Sequence, residues 1–434
     1  MIATIIIAGL TFIGITLSIL FFPRIRIKNI KIDTYWIIAI VGALLLIVTT
    51  LCPINEIGTA WTSQTSVNPI KILVLFFSMT VISIYLDELG LFKYLANAAV
   101  NKAKGSQYFL FIVLYFLVAT LTVFTSNDIV ILTFTPFICF FCKHAKIDPL
   151  PYLIAEFVAA NTWSMMFIIG NPTNIYLATS AGITFVEYLK VMLIPTALAG
   201  LVELLILFLL FNRRLKKPIA NDEEETVHIK SKVDLIIGVS HLAVCLVFLI
   251  ISSYIGIEMW LIALGCAVSL LICGLIVRLI TRKDWSYLGS CFKRLPYQLI
   301  PFVLSMSIIV VALNYQGIAS KIGEILNHGS IILDYGVSSF LFANVINNIP
   351  MSILFSNVPT GLGGGQYLEA TYASIVGSNI GAFLTPIGAL AGIMFSNLLN
   401  KYEMKFRFID FIKYGSIISV PVLAVSLVSL AVVL

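Results

Sequence analysis

The chain has 434 residues, of which 60% are hydrophobic and only 11% are charged, and its mean hydropathy is +1.04. Soluble proteins carry about a quarter of charged residues, and the apolar segments here run on for helix lengths instead of alternating as they do in a membrane barrel. Both classes are excluded, so we expect an all-α polytopic membrane protein. The net charge of +6 belongs to cytoplasmic loops and requires no nucleic-acid partner.

The first half is expected to hold five transmembrane helices. Its first apolar stretch has neither a basic leader nor a small-residue cleavage site, and we therefore expect a span, not a signal peptide. Two later apolar runs flank the polar sequence 125–128 (Thr-Ser-Asn-Asp), which predicts a re-entrant hairpin, because stranded polar groups at membrane depth cost several kcal/mol. The expected spans are 2–22, 34–52, 70–88, 150–178 and 185–212, and the hairpin is 107–143.

The second half repeats this pattern. Its hairpin is predicted around the polar sequence Asn344-Val345-Ile346-Asn347-Asn348-Ile349-Pro350, and a cytoplasmic tether, 213–232, joins it to the first half. After the third span of each half, the short amphipathic segments LFKYLANAAVNKAK and IASKIGEIL are expected to lie along the membrane interface. The expected spans are 233–253, 258–280, 297–315, 367–398 and 409–432, and the hairpin is 330–356.

The basic residues agree with this count, because every additional crossing would invert all later loops. With the tether in the cytoplasm, the basic residues left outside are Lys71, Lys190 and Lys321. Both termini then lie outside, the first hairpin opens to the cytoplasm and the second hairpin opens to the exterior.

An odd number of spans per half predicts two repeats of inverted topology, 1–212 and 233–434. The halves match at three places in the same order. Ser78-Met79 corresponds to Ser305-Met306 and Gly90 to Gly317, residues 185–190 correspond to 408–413, and the tip residues Ser126-Asn127 correspond to Asn347-Asn348.

Each half also contains a second polar break after its hairpin. The first break is the sequence GNPTN at 170–174, after Asn161-Thr162, and the second comprises GSNIG at 377–381 and TPIG at 385–388. Proline and glycine within a span free backbone groups and create half-helix ends with partial charges. Two broken spans in corresponding positions are typical of a transporter site near the membrane midplane.

The breaks and tips hold no lysine or arginine, so an anionic solute would be neutralised by a bound cation, helix dipoles and amides. Asp128 is the formal charge at a tip, and it could hold a cation or carry a proton. The predicted solute-binding residues are Ser126, Asn127, Asp128, Asn171, Thr173, Asn174, Asn347, Asn348, Asn379 and Thr385. The predicted sodium ligands are Ser126, Asn127, Asp128, Gly170, Asn344, Asn347, Asn348, Ser378 and Asn379.

Other reactive side chains have simpler explanations. Glu156 lies within a span and either takes part in proton or cation coupling or extends to the cytoplasmic face. The seven cysteines are expected to be packing residues, although Cys139 and Cys142 form a C-x-x-C for which a redox or metal role is the alternative. We expect no cofactor apart from bound sodium.

These motifs resemble those of the ion transporter superfamily, which includes arsenite permeases, citrate-type permeases, sodium/proton antiporters and divalent-anion/sodium symporters. The LDELGLF segment, the Asn-Asp and Asn-Asn-x-Pro tips and the TPIG stretch look most like the arsenite-permease and citrate-permease-like branch. Asp128 replaces the threonine of the Ser-Asn-Thr tips found in the symporters, which argues against a dicarboxylate substrate. The resemblance implies a homodimer in which a transport domain moves like an elevator against a fixed scaffold.

The leading hypothesis is a secondary transporter of a small anion or oxyanion in the cell membrane, coupled to sodium or protons. A sodium/proton antiporter that exchanges its ions at Asp128 is the first alternative. An intramembrane enzyme would need a nucleophile and base or a metal cluster, and the four histidines lie away from the polar breaks. Two opposed hairpins favour alternating access over a passive channel.

Overall fold

The computed structural model describes residues 1–22, 24–27, 30–62, 68–103, 105–216, 219, 229–281, 286–404 and 406–434. Most of the predicted tether 213–232, with its acidic run at 222–225 and His228, lies outside the described residues. The same holds for six basic residues of the predicted cytoplasmic segments, Lys28, Lys104, Lys217, Arg282, Lys283 and Lys405.

Twenty α-helices form within the described part of the chain. In the first half these are α1 (Ile2–Phe21), α2 (Tyr35–Val48), α3 (Ile54–Thr62), α4 (Pro69–Glu88), α5 (Leu91–Lys102), α6 (Gln107–Phe124), α7 (Asn127–His144), α8 (Leu150–Trp163), α9 (Pro172–Ser180) and α10 (Phe185–Phe211). In the second half they are α11 (Lys232–Ile255), α12 (Met259–Thr281), α13 (Ser286–Lys293), α14 (Leu299–Tyr315), α15 (Ile318–Leu326), α16 (Ile331–Ile346), α17 (Asn348–Phe355), α18 (Gly364–Gly381), α19 (Leu390–Lys401) and α20 (Phe408–Val433). Short 3₁₀ turns occupy Ile168–Gly170 and Val358–Gly361.

Seven of the described helices are long and apolar enough to cross a membrane, or eight if the bent pair α14 and α15 forms one span. The seven are α1, α4, α6, α10, α11, α12 and α20, so one arm of the first predicted hairpin also meets this criterion. Several predicted spans are not single long helices. The α2 helix has 14 residues, and the predicted spans 150–178 and 367–398 each divide into two helices, at the GNPTN sequence and before α19.

A two-stranded antiparallel sheet corrects the expectation of a purely helical chain. Strand β1 (Arg24–Ile27) pairs with β2 (Ile30–Asp33), with Arg24 opposite Asp33. Their side chains form an ion pair of 2.8 Å. The segment alternates isoleucine with mostly charged residues, a period of two that favours a strand over a helix.

The helices pack in corresponding pairs from the two halves. In one group, α1 packs on α2 in the first half as α11 packs on α12 in the second. Across the halves, α2 packs on α14 and, correspondingly, α12 packs on α4. In the other group both α6 and α7 pack on α8, both α16 and α17 pack on α18, and α10 packs on α20. The two helices on either side of each predicted hairpin tip therefore share one supporting helix.

Gly90 and Gly317, which correspond between the halves, adopt the same unusual backbone conformation. Their φ angles are 87° and 69°, in the left-handed region that glycine adopts at little cost. Each glycine directly precedes a short helix, α5 or α15, and the axis of α15 turns by 77° from that of α14. The chain therefore changes direction abruptly after α14, where the sequence predicts an interfacial helix.

Candidate functional site

The polar side chains Thr125, Ser126 and Asn127 of the first tip are buried in the protein interior. Helix α6 ends at Phe124, Thr125 is non-helical, Ser126 is extended, and α7 begins at Asn127. The Asn127 side-chain amide donates to Oδ1 of Asn161 at 3.2 Å. The Oγ of Ser126 and the Oδ1 of Asn127 are buried and have no hydrogen-bond partner among the described residues. Such orphaned groups cost roughly 1–3 kcal/mol each, so they fit a site at which a solute or ion supplies the missing contacts.

Asp128 follows in the first turn of α7, where the helix dipole favours a carboxylate. Its side chain is half-buried. No ion pair or hydrogen bond joins it to the described residues, although Tyr35 on α2 is close enough to interact electrostatically. The Tyr35 hydroxyl lies 3.3 Å from Oε1 of Gln298. Asp128 is thus a carboxylate at a helix break that no cation of the described chain neutralises.

The second tip is held in a strained conformation. Asn347 has a φ of 73° and a ψ of 150°, a region that residues other than glycine rarely occupy. Its side-chain amide donates to the Ile387 carbonyl at 2.8 Å, and the Asn348 backbone amide donates to the Gly388 carbonyl at 3.0 Å. The Oδ1 of Asn348 is buried without a partner in the described part of the chain. Two hydrogen bonds therefore hold the tip to the TPIG break, and Oδ1 of Asn348 remains as an acceptor without a described partner.

Asn344 and Thr385 join the second hairpin to the same break. The Thr385 hydroxyl donates to Oδ1 of Asn344 at 2.7 Å, and the Asn344 amide donates to the Gly381 carbonyl at 2.9 Å. A side chain at Gly388 would place its Cβ 2.6 Å from the Gly381 oxygen and 2.9 Å from Oδ1 of Asn344. Only glycine fits at position 388 without displacing this arrangement.

The two broken spans meet in a group of side chains that we call the central amide cluster. It is defined by Ser164, Asn171, Thr173, Asn174, Ser378 and Asn379, all of which are at most 2% exposed. Oδ1 of Asn379 accepts hydrogen bonds from the Asn171 amide at 3.0 Å and from the Ser164 hydroxyl at 2.9 Å. The Asn379 amide donates to Oδ1 of Asn174 at 2.6 Å. The cluster therefore links residues 208 and 205 positions apart in the sequence.

Local backbone geometry explains why these side chains converge. Asn171 caps α9, with its Oδ1 accepting from the Thr173 backbone amide at 3.2 Å, and Pro172 occupies the first helical position, where no amide is needed. The Ser378 hydroxyl donates to Oγ1 of Thr173 at 3.1 Å. Gly170 lies in the 3₁₀ turn directly before this cap. The half-helix α9 thus begins at the centre of the cluster.

The structure brings the predicted residues into three linked groups. Asn171, Thr173, Asn174, Ser378 and Asn379 form the central cluster, with Gly170 directly before it. Asn344, Asn347, Asn348 and Thr385 form the second group around the TPIG break. Ser126, Asn127 and Asp128 form the third, which reaches the cluster through Asn161, whose carbonyl accepts from the Ser164 hydroxyl at 2.7 Å. No hydrogen bond between described residues joins the first tip directly to the second, although α9 packs on α17.

Two buried carboxyl groups lie beside this site. Both oxygens of Glu156 are 3.0 Å from the Thr135 hydroxyl, and the residue is 2% exposed, so the expectation that it could extend to the cytoplasmic face is wrong. Glu203 on α10 is fully buried and accepts a hydrogen bond from the Thr162 hydroxyl. Glu203 was not among the residues predicted from the sequence, although a carboxylate deep inside the apolar run 185–212, unlike Glu187 at its start, is itself a signal of function.

A cavity of about 320 Å³ lies at the other end of α9, outside the predicted site. Thr179, Lys71, Glu258 and Trp260 contribute polar and aromatic parts of its wall. The Lys71 ammonium lies 2.7 Å from Oε2 of Glu258 and, by this hydrogen bond, lowers the pKa of the Glu258 carboxyl. This ion pair links the turn between α11 and α12 to α4.

The chain is similar to known transporters along most of its length. An arsenical pump membrane protein of Escherichia coli is 25% identical over 410 residues, which cover 91% of this chain and 92% of the relative. Its counterpart in Yersinia enterocolitica is 27% identical over 382 residues, covering 82% and 85%. An uncharacterized transporter of Mycobacterium tuberculosis is 25% identical over 379 residues, covering 83% and 85%.

The fold is similar to the crystal structure of the Alcanivorax borkumensis YdaH transporter. The TM-score is 0.61 at 15% sequence identity, and the match covers 98% of both chains. The resemblance to the ion transporter superfamily predicted from the motifs is confirmed. The family model described as the CitMHS citrate transporter matches residues 34–377, well over half of the chain. The chain therefore belongs to the CitMHS citrate transporter family and is a multi-pass membrane transporter, not an enzyme.

Proposed function

We propose that the protein is a secondary-active transporter of a small anion or oxyanion, of the carboxylate or arsenite type, coupled to sodium or protons. The observation that carries this proposal is the central amide cluster, in which buried amides and hydroxyls of two broken spans meet. The described hydrogen bonds of the cluster include no lysine or arginine, so a cation or proton must neutralise an anion there. The citrate description of the family and the arsenical pump relatives support the two solute classes.

In this proposal the solute and sodium sites are the residue sets predicted from the sequence. The orphaned acceptors, Ser126 Oγ, Asn127 Oδ1 and Asn348 Oδ1, are oxygens of the kind that sodium prefers. The Asn171 amide, which donates one of its two hydrogens to Asn379, and the positive end of the α9 helix dipole favour an anion. Oxygens for the cation and N–H groups for the anion thus lie on neighbouring elements.

The proposed architecture has ten crossings and two re-entrant hairpins in two inverted repeats, 1–212 and 233–434. The corresponding helix pairs and the matching left-handed glycines before α5 and α15 support this repeat. In the proposed elevator mechanism, α1, α2, α4, α11, α12 and α14 form the scaffold of a homodimer. The hairpins, broken spans, α10 and α20 form the moving domain.

A sodium/proton antiporter without an anionic solute is the alternative. The observation that favours it is Asp128, a carboxylate at the first tip with no partner among the described residues, which could exchange sodium for a proton without further chemistry.

Flux measurements in proteoliposomes test the proposal. We expect uptake of labelled citrate or of arsenite to depend on an imposed sodium or pH gradient. Asn379→Ala should reduce this uptake at least tenfold, because it leaves the Asn171 amide and Oδ1 of Asn174 without their partner. Glu369→Gln, at a half-buried position near the start of the same helix, α18, is the control and should retain uptake. Sodium movement driven by pH that neither solute affects would contradict the proposal and favour the antiporter.

A further inference from the structure

Glu203 lies within the hydrocarbon region, far from either end of a long membrane helix. Helix α10 spans 27 residues, Phe185–Phe211, and Glu203 lies eight residues before its end, a rise of about 12 Å. The side chain is 0% exposed. A carboxylate at this depth is rare and commonly marks an ion or proton path.

The surroundings of Glu203 provide little to stabilise a negative charge. Its Oε2 accepts from the Thr162 hydroxyl, and its Oε1 is buried without a hydrogen-bond partner among the described residues. The nearby Tyr115 hydroxyl donates instead to the Gly200 carbonyl at 2.7 Å. An isolated carboxylate in such a setting is strongly disfavoured relative to the neutral acid, which makes Glu203 a candidate for binding a proton.

No cationic group faces Glu203 from the helices that pack on α10 in the described structure. On α6 the titratable neighbour is Tyr115, and on α8 the nearest side chains are Thr162 and Trp163. On α20, Tyr414 packs against Phe211 with its ring tilted, two turns beyond Glu203. On α11, Asp234 is paired with Arg278, and His241 contacts the Ile237 carbonyl and Ser269.

The end of α8 connects Glu203 to the proposed solute site. Residues 161–164 contact both Glu203 and the site. Towards the site, Asn161 accepts from Asn127, and Ser164 donates to Asn379. Thr162 bonds to Glu203, and the Trp163 indole donates to the Tyr115 hydroxyl at 3.1 Å. Loss of the proton would create a carboxylate that attracts the hydrogen-bond donors of Thr162 and its neighbours. Because Asn161 and Ser164 lie on the same backbone segment, they would move with Thr162.

We infer that Glu203 is a proton-binding positioning residue, whose charge state acts on the solute site through residues 161–164. This inference rests on the proposed function and names the residue that links it to pH. The neutral acid permits an anion in the central amide cluster, whereas the carboxylate disfavours the anion by like-charge repulsion and by moving the end of α8. In each cycle Glu203 releases its proton to the aqueous side after the anion leaves and takes it up again before the next anion binds.

The test separates exchange from net transport in proteoliposomes, using labelled citrate as the probe. Glu203→Gln mimics the neutral acid and should retain citrate exchange at equal pH on both sides. Its net uptake driven by a pH gradient should fall at least tenfold, and its exchange rate should vary with pH less steeply than that of the wild-type protein. Asp148→Asn, which removes a partly exposed carboxyl paired with Arg214 outside the proposed site, is the control and should keep the wild-type pH profile.

A second variant covers the case in which Glu203→Gln does not fold. Thr162→Val removes the hydroxyl that donates to the carboxylate, so the pH midpoint of citrate exchange should move up by about half a unit or more. A wild-type pH profile in either variant overturns the inference. A wild-type protein that exchanges no citrate also overturns it, whereas gradient-driven arsenite transport in the same vesicles would leave the proposed function intact.

Discussion

Asp128 differs from the other polar residues at the two tips in carrying a formal charge. Asn127, Asn347 and Asn348 can offer oxygens or amide hydrogens without any change in charge, whereas Asp128 must be compensated once it is enclosed. No described basic side chain forms an ion pair with it. Its compensation therefore has to come from an ion, a proton or the helix dipole of α7.

We predict that Asp128→Asn abolishes gradient-driven transport and leaves folding in detergent unchanged. The amide has the same shape but cannot hold a cation electrostatically, and flux should fall by at least tenfold. Asp148→Asn is the control, because it removes a partly exposed carboxylate paired with Arg214 at the surface. Size-exclusion profiles and proteoliposome uptake measure the two properties. Wild-type flux in Asp128→Asn would remove this residue from the mechanism.

At the scale of single helices, a buried ion pair holds α11 against α12. Asp234 bonds to Arg278, with exposures of 0% and 8% for the two side chains. The Arg278 guanidinium also lies over the Tyr287 ring of α13, 5.0 Å from its centroid. The pair therefore connects α11, α12 and α13.

Arg278→Met should lower the stability of the protein markedly, because it leaves the Asp234 carboxylate buried and unpaired. Breaking such a pair costs roughly 3–5 kcal/mol, whereas replacing both members with apolar residues is often close to neutral. The double variant Asp234→Leu/Arg278→Met should therefore recover most of the thermal stability measured in detergent. A double variant as unstable as Arg278→Met would contradict this explanation.

The sequence predicts those elements well whose signals are local. The breaks predicted within 107–143 and 330–356 fall between α6 and α7 and between α16 and α17, because polar tips between apolar runs identify both. The re-entrant course of these two helix pairs stays a prediction. The division of 150–178 was likewise visible as a break at Pro172. The strands β1 and β2 also had a local signal, the alternation of isoleucine with mostly charged residues, which the prediction of an all-helical chain overlooked. The partnership of Thr162 with Glu203 and the contacts of Asn379 depend on packing between distant segments. No spacing in the sequence encodes those contacts.

At the scale of the whole molecule, α1 of the first half contacts the second hairpin. The Thr16 hydroxyl donates to the Val345 carbonyl on α16 at 2.5 Å. In the proposed elevator, Thr16 belongs to the scaffold and Val345 to the moving domain. This contact must therefore break and re-form during each transport cycle.

We predict that a disulfide between Thr16→Cys and Val345→Cys, introduced in a background without the seven native cysteines, stops transport. Oxidation should reduce flux at least tenfold, and a reductant should restore it, while each single cysteine variant should be unaffected. Gel mobility after proteolysis reports the cross-link, and uptake reports its effect. Full flux in the cross-linked protein would exclude relative movement of α1 and α16.

The hydrogen bonds of the central amide cluster also fix which way each amide faces. Backbone carbonyls determine the orientation: Ile375 accepts from the Asn379 amide at 2.8 Å, and Ser164 accepts from the Asn174 amide at 2.7 Å. Rotating either amide would set oxygen against oxygen. Asparagine, serine and threonine side chains do not titrate under physiological conditions, so the polarity of the cluster is the same in acid and in alkali. Any variation of affinity with acidity must then originate in the solute or in the carboxyl groups around the cluster, which makes a pH profile a selective probe of those groups.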